Sequence, residues 1–80
     1  MTFTDYAVTK GLVLLSDDLR FIRGRLHDMP KEQIRVILKR YIEIWCDTMS
    51  SCENAIKRQN EGRRVANTYL REETNAKRNS

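Results

Sequence analysis

The chain has 80 residues and a mass of 9.5 kDa, with 40% hydrophobic residues, 32% charged residues and a formal net charge of +4. That length holds one domain and excludes a multidomain enzyme, while the composition is that of an ordered, soluble chain. Three glycines and one proline supply too few turns for a multi-strand β fold, so an all-α fold is expected.

A chain this short buries only about 60% of the surface exposed when unfolded, which leaves room for a partner surface. No apolar run approaches the roughly 18 to 20 residues of a membrane span. Thr2, Thr4 and Asp5 precede any lysine, unlike the basic start of a signal peptide, and a cytosolic location is expected.

The first predicted helix covers about residues 5 to 27. Its apolar stripe runs Val8, Leu12, Leu15, Leu19, Ile22, Leu26 and Met29 in steps of four and three. Thr4 or Asp5 would cap its start, and Pro30 forces a stop. A second stripe follows as Ile34, Leu38, Tyr41, Trp45, Thr48, Cys52 and Ala55, with Asp28 as the expected cap and Pro30 in the first turn.

Folded back at Asp28 to Pro30, the stripes form an antiparallel helical hairpin. Leu26 faces Ile34, Ile22 faces Leu38, Leu19 faces Tyr41, Leu15 faces Trp45, Leu12 faces Thr48, and Val8 faces Cys52. Ile37, Ile44 and Met49 fall on its flanks, and are expected to contact a dimer mate or another partner.

A C-terminal helical segment follows, with a weaker stripe of Ala55, Ile56, Val65, Ala66, Tyr69 and Leu70 interrupted by Gln59 and Gly62. Ser50 with Glu53 fits a capping box that would start a new helix. A single long helix running on to about Glu73 fits equally. The expectation is one helical domain over 1–74, completed as a three-helix bundle or a dimeric four-helix bundle, with a frayed basic tail over 75–80. Val65, Ala66, Tyr69 and Leu70 should pack on a hairpin, bringing Arg58, Arg63, Arg64 and Arg71 near Asp5, Asp17, Asp18, Glu43 and Asp47.

Charge is uneven. Residues 19 to 40 carry Arg20, Arg23, Arg25, Lys31, Arg35, Lys39 and Arg40 against Asp28 and Glu32. Lys31, Arg35 and Lys39 repeat at i, i+4 and repel one another unless something negative answers them. Arg20, Arg23, Arg25, Lys31, Arg35 and Lys39 are therefore the candidate partner-binding set. Phosphate contact to nucleic acid is the alternative use of that set, although a charge run on a helix is more often a solvated face.

Catalytic and cofactor chemistry finds no support in the residue pattern. His27 beside Asp28 would be an exposed turn pair, better read as a surface histidine than as a base with its orienting carboxylate. Cys46 has Glu43 and Asp47 nearby, which disfavour a thiolate. Cys46 and Cys52 diverge by roughly 120° on a continuous helix and should stay reduced. One histidine with no Cys or His cluster gives no metal site. The expectation is a non-enzymatic interaction protein, namely a regulator, adaptor or inhibitor docking on a larger complex, without cofactor or small-molecule substrate.

Overall fold

A computed structural model describes residues 2 to 78 and shows an all-α bundle. Its helices are α1 (Phe3–Thr9), α2 (Ser16–Leu26), α3 (Lys31–Ser51) and α4 (Arg58–Arg78).

The first predicted helix is thus two helices with a corner between them. Thr2, rather than Thr4 or Asp5, caps α1 by accepting a hydrogen bond from the Asp5 N–H at 3.2 Å. The helix stops because Gly11 takes a φ of +83°. That left-handed residue lets the Leu12 N–H reach the Ala7 carbonyl (3.1 Å) and the Gly11 N–H reach that of Val8 (3.0 Å). This is a Schellman ending, and its usual apolar contact is supplied by Leu12 and Ala7, both in the core. The chain restarts at α2, where the Asp18 carboxylate accepts from the Leu15 N–H at 2.9 Å and Asp17 and Asp18 sit at the positive helix end.

Pro30 separates α2 from α3 as expected, but it occupies the cap position itself, with no side-chain cap from Asp28. The break expected near Ser50 is present, but no helix starts at a Ser50–Glu53 capping box and the single long helix does not form. Helix α3 ends at Ser51, α4 begins only at Arg58, and the connector is ordered by Asn54, whose Oδ1 accepts from the N–H groups of Ile56 (2.9 Å) and Lys57 (3.2 Å). Residues 75 to 78, expected to fray, continue α4; the rest of that expected tail, Asn79 and Ser80, lies outside the described residues.

The principal packing is α3 against α4, not the predicted hairpin. Tyr41 meets Asn67 and Trp45 meets Gly62, so the two helices run antiparallel. A Cβ placed on Gly62 would lie 2.5 Å from Trp45 Cδ1; the glycine read as an interruption is where α4 makes room for the Trp45 ring. Trp45, Tyr41, Ala66 and Leu70 are fully enclosed, and Tyr41 meets Trp45 edge-on with ring centroids 5.9 Å apart. Leu15 and Val8, assigned to Trp45 and Cys52, are instead 51% and 65% exposed.

Helix α2 lies on α4 through polar side chains. Arg63 Nε donates to Asp18 Oδ2 at 2.7 Å. Arg25 Nε donates to Thr74 Oγ1 at 2.8 Å and its Nη2 to the Arg71 carbonyl at 2.9 Å and to Asn75 Oδ1. The expected approach of a C-terminal arginine to the N-terminal acids is realised in Arg63 and Asp18. Arg64 pairs locally with Glu61, and Arg58 donates to the Cys52 carbonyl.

Candidate functional site

Helix α3 is covered along one side by α4, but on the other by the short α1 and by α2, and this incomplete cover leaves a groove. Its floor is made by Phe3 of α1, Leu19, Ile22 and Leu26 of α2, and Ile34 and Leu38 of α3. A second depression adjoins it toward Tyr6 and Ile42, sharing Phe3, Ile34 and Leu38. The two are open to solvent and measure about 560 and 520 Å³, within the roughly 300 to 1,000 Å³ of ligand-sized clefts. Ile22 and Leu26 are buried beneath, while Phe3, Leu19, Ile34 and Leu38 are half-buried.

The rim is cationic. Lys31, Arg35 and Lys39 line the Tyr6 side and Arg23 the α2 side, and no aspartate or glutamate lines either depression. Glu32, the acid nearest in sequence to the lysine–arginine row, lies along the α3–α4 cleft with Val36, Ile37, Tyr69 and Glu73. Among the described residues no carboxylate stands within ion-pair distance of Lys31, Arg35, Lys39 or Arg23. The repulsion along the i, i+4 row is therefore not answered inside the fold.

The candidate set separates accordingly. Arg23, Lys31, Arg35 and Lys39 are brought together around the groove. Arg20 is exposed and stands 3.8 Å from Asp17. Arg25 departs from the set, since its guanidinium is spent on α4. Ile37, expected on an interface, is 2% exposed and belongs to the core; Ile44 and Met49 are half-buried against that core.

Phe3, Leu19, Ile34 and Leu38 are the candidate site residues that the sequence did not reveal as a surface. The stripe logic paired the last three inside a closed hairpin, and Phe3 lay upstream of the stripe. Phe3 and Ala7, one helical turn apart, were the available signal for a short amphipathic helix.

The other reactive groups are unremarkable in geometry. The exposed His27 ring has Nδ1 3.2 Å from the Gly24 carbonyl and 4.0 Å from Asp28. Cys46 and Cys52 are free thiols. Burial, ahead of the charge of Asp47, pushes the Cys46 thiol up, with Lys10 opposing. Among the described residues no group of three or more His, Cys, Asp or Glu side chains is placed to hold a metal, and no helix is long and apolar enough to cross a membrane. No protein-family model, curated protein or solved structure matches this chain.

Proposed function

We propose that the protein is a non-enzymatic interaction module of the cytosol, a regulator, adaptor or inhibitor that docks on a larger complex through the groove between α1, α2 and α3. The observation that carries this reading is the combination of an open apolar floor with four cations and no acid on its rim. A solvated charged face needs no apolar floor, and a phosphate-binding face has no use for Phe3, Ile34 and Leu38 between its cations. The same combination favours protein over nucleic acid as the partner.

The test is affinity capture from the native host with the full chain, the Arg35→Glu/Lys39→Glu variant and Leu38→Glu, each with and without nuclease. A protein retained by the wild type, resistant to nuclease, and lost with the charge-reversed variant at unchanged helicity supports docking through the groove. Retention that disappears with nuclease assigns the cations to nucleic acid, and retention indifferent to both variants removes the groove from the interface.

A further inference from the structure

The groove's chemistry narrows the kind of segment it takes. We infer that its occupant is an acidic amphipathic helix of about three turns, supplied by a different protein. This rests on the docking reading above and adds the occupant.

Length comes first. From Lys31 to Ile42 the α3 wall spans about 16 Å at 1.5 Å per residue, which three turns of a parallel or antiparallel helix would match. The groove holds two adjoining depressions that share Phe3, Ile34 and Leu38. An amphipathic helix presents apolar anchors at i, i+3 or i+4, and i+7, so two successive anchors can enter the two depressions. An extended strand would need a free sheet edge, and this fold is all-α.

Charge supplies the second argument. Lys31, Arg35 and Lys39 stand at one-turn intervals along the α3 wall of one depression, and Arg23 of α2 lines the other. Carboxylates flanking the anchors of a docked helix would meet this row at the same interval, relieving repulsion that no carboxylate among the described residues relieves. A second copy of this chain is a poorer match. Its longest helices, α3 and α4, are already packed together, and α4 carries an excess of basic residues.

The experiment is selection from a displayed library of random 16-residue peptides on the full-length protein, followed by amide chemical-shift mapping of the best binder. The expected sequences are acidic overall, with Leu, Ile or Phe at i, i+3/i+4 and i+7. They should shift Phe3, Ile34, Arg35 and Leu38, and weaken by at least about tenfold with Arg35→Glu/Lys39→Glu at low salt, with a smaller loss at high salt.

Neutral or basic winners, no enrichment, or shifts on the α3–α4 cleft overturn the inference. So does a concentration-dependent dimer whose interface is this groove, or preferential binding of phosphatidylglycerol vesicles by the same residues. If the native partner depends on the groove while acidic helices do not bind, the occupant is wrong and the docking reading stands. If the native partner ignores the groove, the docking reading itself fails.

Discussion

Gly62 lies against the indole of Trp45, so close that a Cβ there would sit 2.5 Å from Cδ1 and 2.8 Å from Nε1. Two opposed effects follow from changing it to alanine. Helix propensity favours alanine by about 1 kcal/mol, whereas overpacking a fully enclosed ring costs about 1 to 3 kcal/mol or more. Trp45 is fixed by its own hydrogen bond to Gln59 Oε1 at 3.1 Å and by Arg63 over its ring, so the clash wins. Gly62→Ala should lower the melting temperature. Gly24→Ala, with nothing within 4 Å of the new methyl, should raise it by the equivalent of about 0.5 to 1 kcal/mol. Thermal melts of the two variants check the opposite signs.

Asp18 is 4% exposed and receives Arg63 Nε, the Leu15 N–H, and Asn67 Nδ2 at 3.5 Å. Removing it takes the carboxylate from an Arg63 side chain that is only 17% exposed and uncaps α2. A loss of about 3 kcal/mol is expected for Asp18→Ala, a large part of the roughly 4 to 12 kcal/mol typical of a domain this size. Arg63→Met should cost less in the Asp18→Ala background than alone, and a double-mutant cycle by urea denaturation measures that coupling.

Alkali should destabilise the fold from about pH 10. Burial, then the negative field of Asp18, pushes the Tyr41 phenol well above its ordinary value, against the pull of Arg63. Tyr69 moves the same way, chiefly through burial. The folded state therefore keeps protons that the unfolded chain releases. The contribution is complete below the ordinary value of 10.0 and is lost as pH rises toward the folded value, by at most about 1.4 kcal/mol per pH unit for each tyrosine. Urea midpoints at pH 8, 10 and 11 should fall more steeply for wild type than for Tyr41→Phe. At neutral pH that variant should be weaker by about 1 kcal/mol, because Asn67 Oδ1 loses its 2.6 Å donor.

Charge reversal should divide the arginines and lysines into two classes. Arg25→Glu breaks three hydrogen bonds to α4, with the buried Thr74 among the acceptors, and should lower stability by about 2 kcal/mol. Lys31→Glu and Arg35→Glu touch no internal partner among the described residues and should leave the melting temperature unchanged or slightly raised, since each relieves a like-charge pair. Melting curves of the three single variants are sufficient.

Truncation after Gln59 should unfold the chain rather than free an arm. It removes Gly62, Arg63, Ala66, Asn67, Leu70 and Thr74, the partners of Trp45, Asp18, Tyr41 and Arg25. Loss of the helical circular dichroism signal is expected.

The helical class, the stop at Pro30 and the burial of Tyr41, Trp45, Ala66 and Leu70 were legible because apolar periodicity and proline act locally. The break at Gly11 was hidden by coincidence: Leu12 falls in phase with the stripe yet is buried from within a turn. A glycine following Lys10 was the available stop signal. The α3–α4 pairing was hidden for a different reason. Gln59, Gly62 and Asn67 look like flaws in an apolar stripe, and their value comes from Trp45 and Tyr41, which are far away in sequence. The four cations of the groove were legible as charges, but which of six candidates share a surface depended on Arg25 turning toward Thr74.

The corner between α1 and α2 is held from a distance. Gln59 accepts from the Val13 N–H (3.1 Å) and donates to the Gly11 carbonyl (2.8 Å), while Arg63 Nη2 donates to the Val13 carbonyl at 2.6 Å. These anchors arrive some 46 to 50 positions later in the chain. During synthesis the first half therefore emerges before the groups that satisfy its bent backbone, and the corner can close only once α4 is there to supply them.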